Sequence, residues 1–490
     1  MTRSRARFHL GLLALCAVAL VRAAPARADG AFPNSETIYT PDTLPHEILL
    51  ATNFGLVRST DDGATWLWSC EQAGDLNATF YQLGPAPTYR IFAVALDGVT
   101  AITTHLAYTD DNACSWSTSG GLLDGTSVID EFADPTNPNR VLVLTSIPVD
   151  GGPAKQEVIE SSDGGATFTT VRFTADAGDT ITGVEIARSS PQTVYLTIKS
   201  GTALAPVLMQ STNGGMTWTK HDLSAMLATG TKSIRLVAVD PANAQKVFLR
   251  VSTGTDEGLA LTTDGGATVA TPLTFPGGIL TAYTQMASGT IVVGSVIGVD
   301  NVAFRSTDAG KTFQQLPKPL PQAIRALSSR GTTLYAVADN QNDPYAVGIS
   351  TDQGMTWQKF LSYDQITAIA GCLHDQCQTD CMNRAGLCQW PPDLCSAVAP
   401  TADGGAAGTS GGGGRGGGGS TGTAGSMGTA GSGGSSMGGG TGGGGGSSGC
   451  HCAATGGGAS AWWLLGVATC ASLALRRRSR PRRRARSSKS

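Results

Sequence analysis

Seven copies of one eight-residue box, each close to Ser-Thr-Asp-x-Gly-x-Thr-Trp, recur along the chain at intervals of 44 to 52 residues. They begin at Ser59, Thr109, Ser161, Ser211, Thr262, Ser306 and Ser350. A turn-forming box at a fixed period means one small supersecondary unit repeated, which cannot bury its apolar face until neighbours stack on it. Each box occupies a consistent frame. In the fifth unit, apolar Ile234 to Val239 is followed by the turn Asp240-Pro241-Ala242-Asn243, by Lys246 to Val251, by Leu259 to Leu261, by the box, and by Val269 onward. That pattern is four short strands rich in Val, Ile, Leu and Thr, with the box in the hairpin between the third and fourth. Four strands per unit of this length is the blade of a propeller.

The third positions of the boxes are Asp61, Asp111, Asp163, Asn213, Asp264, Asp308 and Asp352. A side-chain oxygen there accepts from nearby backbone N–H groups and fixes the turn. Glycine two places on, as at Gly63 or Gly165, permits a positive φ. The closing aromatics Trp66, Trp116, Phe168, Trp218, Phe313 and Trp357 are apolar anchors between sheets, and Val269 makes the fifth a weaker one. These roles are structural. The repeat resembles the Asp-box (BNR) repeat of the sialidase-like superfamily. The resemblance implies an all-β, seven-bladed β-propeller over residues 29–371. Ile366 to Ala370 begins an eighth unit that does not continue, and it is expected to supply the innermost strand of the first blade and so close the ring.

The two ends describe an export route. Residues 1–28 read as a signal peptide: Arg3, Arg5 and Arg7, an apolar run, then Ala26-Arg27-Ala28 as a small-x-small cleavage site. Residues 401–449 are a Gly/Ser-rich flexible linker, too poor in apolar side chains to form a core. Within 450–490, residues 459–475 are apolar enough for a short transmembrane segment, and the Arg-rich tail 476–490 holds that end inside. Gly449-Cys450-His451-Cys452, the Trp462-Trp463 segment and the arginine cluster together resemble the MYXO-CTERM sorting signal of myxobacterial surface proteins. That resemblance implies a sorting protease, processing and lipid attachment at Cys450 or Cys452, and display at the cell surface or outer envelope.

The overall charge of −3 conceals an acidic body. Of 34 basic residues, five lie in the signal and nine follow Leu475, and neither segment holds an acid, so 20 face 37 acidic residues. A surface of that sign excludes nucleic acid as a partner and allows bound Ca²⁺ or a neutral glycan. No cofactor is otherwise expected. Cysteines in an exported chain suggest disulfides. A Cys70–Cys114 bridge is expected between adjacent turns, where it supports the second box, which has Ala113 in place of glycine. The Cys-rich appendage, residues 372–400, holds Cys372, Cys377, Cys381, Cys388 and Cys395. An odd count leaves one thiol free, paired elsewhere or bridged between chains.

Catalytic motifs fail one by one. Sialidases bind substrate carboxylate with three arginines, the first in Arg-Ile-Pro before the first box. Here Arg58 alone precedes that box in the exported part, and Arg90-Ile91-Phe92 follows it and lacks the proline. Gly310-Lys311-Thr312 lies inside a box rather than a phosphate loop. Asp339, Gln341 and Asp343 suggest a calcium loop, but Pro344 replaces the needed glycine. His374 within the cysteine cluster could join a zinc site, though disulfides suit an exported chain better. A glycosidase needs two carboxylates across a cleft. Asp130, Glu131, Asp179, Glu185, Asp300 and Asp339 lie outside the boxes, and nothing in the sequence selects a pair. The expected function is therefore recognition: a surface-displayed propeller binding an extracellular protein or polysaccharide. The alternatives are an Asp-box glycoside hydrolase and an envelope assembly factor.

Overall fold

A computed structural model describes residues 35–71, 76, 78–97, 103–149, 154–318, 320–340, 342–386 and 392–397. The signal, linker and sorting-tail readings, with Cys388, Gln341, Cys450 and Cys452, lie outside the described residues.

The molecule is an all-β propeller of seven blades with four antiparallel strands each. The fifth blade, Ser233–Val239, Val247–Ser252, Glu257–Thr262 and Ala270–Phe275, follows the sequence frame closely. Second strands such as Val141–Ile147 and Val194–Ser200 are buried along most of their length, because neighbouring blades cover both faces.

The box geometry is uniform. The opening hydroxyl donates to the third-position side chain at 2.7–2.9 Å. The same hydroxyl accepts the fifth-position N–H at 2.8–3.2 Å. The carboxylate also accepts the N–H and the hydroxyl of the seventh residue, at 2.9 and 2.5 Å in the third box. Asn213 serves equally well, since its amide donates to Thr217 Oγ1 at 2.8 Å where the aspartates accept. The box glycines have a second reason to be glycine: a Cβ on Gly63 would lie 2.6 Å from Phe360, and one on Gly165 2.7 Å from Phe92, both in the preceding blade. Trp66 and Phe168 are fully buried, and Val269 packs as a partly buried side chain in the equivalent place.

Two expectations are corrected. The innermost strand of the first blade is Ser35–Tyr39, from the chain start, and Ala368–Ile369 instead pairs parallel with the outermost strand Leu67–Ser69. Its start is held by Thr367, whose N–H and hydroxyl both reach the Trp66 carbonyl, at 2.8 and 2.6 Å. The four-strand pattern of the first blade is complete without it, so only the outer edge was open to receive it. The second correction concerns Cys70 and Cys114. They do not pair with each other: Cys70 bonds Cys377, and Cys114 bonds Cys372. The helix His374–Gly386 and the turn before it run over the outer edge of the first two blades and supply a partner to each. Cys381–Cys395 closes the appendage on itself. Ala113 does carry a strained φ of +69°, and the bridge at its neighbour Cys114 fixes that turn to the appendage.

Candidate functional site

The innermost strands wall an axial channel, and they share an irregularity that no local pattern announced. In blades 1 to 6 the pairing of the innermost strand with the second slips by one residue, at Ser35/Thr37, Ala78/Phe80, Val128/Asp130, Ile181/Gly183, Leu236/Ala238 and Leu280/Ala282. The seventh blade has no slip. A β-bulge re-aims the side chains that follow it. In the third blade it precedes Asp130 and Glu131, and all of Ile129–Phe132 line the channel.

A cavity of about 730 Å³ opens along the channel, lined by the innermost strands of blades 1 to 5. Gln156, at the start of the third strand Lys155–Ser161, and Lys199, at the end of the second strand Val194–Ser200, line it too, where those strands meet their hairpins. The boxes belong to the opposite face, where their N–H groups bond the first-hairpin turns: Gly164 to Asn139, Gly214 to Gln192, Gly265 to Gln245. That face carries two smaller cavities, of about 570 and 510 Å³, with Asp42 and Arg188 lining both.

Three of the six carboxylates singled out from the sequence come together on the channel wall: Asp130, Glu131 and Glu185. Glu131 is 1% exposed. With its amide oriented to satisfy both oxygens, Gln82 donates to Glu131 Oε2 at 3.2 Å and to its carbonyl at 2.8 Å, while Oε1 has no partner. Burial, reinforced by the Asp130 charge, pushes the Glu131 carboxyl well above its ordinary value. Burial raises Asp130 to about 6, against backbone hydrogen bonds from Glu131, at 3.0 Å, and Val184 and the attraction of Arg235. Burial also raises Glu185 to about 7, and the Val239 N–H donates to it at 2.7 Å. Asp130 and Glu185 are half-buried.

The remaining three acids are elsewhere and occupied. Asp179 accepts from Ser200 and from the Gly201 N–H in a surface turn. Asp300 pairs with Lys318 at 3.1 Å in solvent. Asp339 accepts from Asn342 at 2.8 Å, and Asp343 caps the N–H groups of Gln322 and Ala323. Among the described residues no group of three or more His, Cys, Asp or Glu is arranged to hold a metal ion. The described cysteines around His374 are tied up in the disulfides. No helix among the described residues is long and apolar enough to cross a membrane.

No protein-family model matches this chain, and no curated protein matches it. Among solved structures it is similar to the GH74 xyloglucanase from Xanthomonas campestris, at 14% identity over 64% of this chain and 57% of that one, with a TM-score of 0.33. It is similar to an ancestral GH74 enzyme at 14% identity, over 64% of this chain and 46% of that one, with a TM-score of 0.43. It is also similar to YCF48 from Cyanidioschyzon merolae, at 14% identity over 62% and 92% of the two chains, with a TM-score of 0.42. The likeness is one of fold. This chain spans about half the length of the two GH74 structures.

Proposed function

We propose that this protein is an exported propeller of the Asp-box type, displayed on its glycine-rich tether by a MYXO-CTERM-like signal, that recognises an extracellular protein or polysaccharide. The observation that carries the reading is the axial cavity. It offers carboxyl, amide and hydroxyl groups beside apolar side chains, a mixture typical of ligand sites. Carboxylates kept in an unfavourable setting are costly to the fold, and such groups cluster where a ligand uses them. Three disulfides suit the oxidising exterior that export implies. The test is retention of the full-length protein on arrays of extracellular polysaccharides and envelope proteins. Retention is expected to change when the cavity-lining cations Lys199 and Arg235 are both replaced by Ala, strengthening for a cationic ligand and weakening for an anionic one. Retention that ignores the double change puts the ligand somewhere other than the channel.

Glycoside hydrolysis is the second reading, and one observation favours it. Asp130 and Glu185 titrate near neutrality, as acid–base groups must. Release of new reducing ends from a polysaccharide panel, abolished by Asp130→Asn, would establish it. Release unaffected by that change would count against these residues.

A further inference from the structure

Most buried carboxylates of this propeller have a cation against them. Glu160 is held by Arg140 at 3.0 Å and by Arg172 at 2.6 Å. Glu257 pairs with Arg250 at 2.6 Å, Asp240 with Lys246 at 2.9 Å, Asp134 with Arg140 at 3.3 Å. The channel acids, like Asp343, are exceptions. Among the described residues neither Asp130, Glu131 nor Glu185 forms an ion pair with any basic side chain, and Glu131 Oε1, in a side chain 99% buried, lacks even a hydrogen bond. The charges act on one another: Asp130 on Glu131, and Asp130 on Glu185. A wall that repels itself and leaves its own acids unmatched is complementary to a cation from outside.

We propose that the channel takes a lysine side chain of an extracellular peptide, its ammonium group meeting Asp130 and Glu185 and its methylene stem lying along the apolar wall. The proposal rests on the channel being the recognition site. Phe80, Ile129, Phe132 and Leu236 line the same cavity as the acids and suit a four-carbon stem, and Ile129 is 41% exposed there. A compact ammonium with three donors matches two carboxylates on neighbouring strands. The other groups that face the acids leave room for it. Arg235 acts on Asp130 from an exposed position, and Lys199 lines the cavity where its strand meets the hairpin. Tyr39 is committed to the Tyr81 carbonyl at 2.6 Å, and the un-ionised phenols of Tyr39, Tyr81 and Tyr283 bring no charge.

A bound ammonium favours the ionised forms, so Glu185, half protonated near pH 7, must release its proton as the ligand enters. The experiment is calorimetric titration of the full-length protein at pH 7 in buffers of different ionisation enthalpy. The probes are a blocked Gly-Gly-Lys-Gly-Gly peptide, the same peptide with norleucine, and a glucosamine oligomer. The lysine peptide is expected to bind at least about tenfold more tightly than the norleucine one, releasing roughly half a proton. That preference should vanish in the Asp130→Asn, Glu185→Gln double variant, whose melting shows whether the fold survives. The single variant Arg235→Glu, at an exposed position, should tighten lysine binding and serves if the double variant does not fold. Equal binding of norleucine, binding without proton release, or binding of the glucosamine oligomer in place of the lysine peptide overturns the proposal. No binding of the lysine peptide overturns it too. Retention of some other ligand on the arrays would then leave the recognition reading standing.

Discussion

On the box-bearing face, Asp264 and Asp352 sit in solvent with both carboxylate oxygens engaged by their own box. The hydroxyls of Thr268 and Thr356, with the adjoining N–H groups, hold both carboxyls down at about 2. On the axis, Asp130 and Glu185 sit among protein atoms with few donors, and burial holds them up at about 6 and 7. The same functional group is used for opposite ends. Exposed acids given a full set of donors stabilise a turn. Buried acids denied them cost the fold free energy and stay available to something else.

Four measurements put this contrast at risk. The largest effect is expected at the rim, from the clasp between the appendage and the first blade. Removing Cys70–Cys377 by a double serine change should cost about 3–5 kcal/mol in urea unfolding, because the bridge closes a very long loop. Amide exchange should accelerate around Ala368–Ile369 and Leu67–Ser69 before it does on the channel strands. Uniform acceleration would mean that rim and axis are one cooperative unit.

Next comes a box acid. Asp163→Ala removes the acceptor for Ser161, for the Thr167 N–H and for the Thr167 hydroxyl, and should cost about 1–3 kcal/mol. Glu131→Gln or Asp130→Asn on the channel wall should leave urea stability unchanged or raise it. A loss as large as the box change would show that the channel acids are structural after all.

The third test is pH. The box acids have folded pKa values below their unfolded ones, so their stabilisation is present above about pH 4 and is lost as pH falls toward 2. The channel acids have folded values above their unfolded ones. Their contribution is fully present below about pH 4 and is lost as pH rises through 6 to 7. Stability should therefore peak near about pH 4–5 and decline on both sides. In the Asp130→Asn, Glu185→Gln variant the decline toward pH 7 should flatten while the acid limb stays. The smallest effect is expected for Asp163→Asn, within about 0.5 kcal/mol, because Asn213 already fills that role in the fourth box. A large loss there would mean that the charge, and not the acceptor geometry, holds the turn.

The channel acids were visible in the sequence as individuals and invisible as a group. Asp130, Glu131 and Glu185 stood beside Asp179, Asp300 and Asp339 with nothing to rank them. Adjacent residues on a regular strand face opposite sides, so Asp130 and Glu131 would not be taken for one wall. The bulge before them sets which side chains reach the channel, and its position depends on the partner strand Val141–Ile147. The repeated slip across six blades was the one signal available, and it exists only as pairing register.

The propeller, its seven blades and the place of each box are written along the chain, because every box closes within eight residues and repeats the same donors and acceptors. Local chemistry written seven times needs no tertiary knowledge to read. Tertiary structure alone decided the outer-edge docking of Ala368–Ile369 and the partners of Cys70 and Cys114, which lie 307 and 258 residues away. It also decided which acids share a channel. Those outcomes turn on which surfaces meet when the ring closes, and pairings between remote residues leave no periodic trace along the chain.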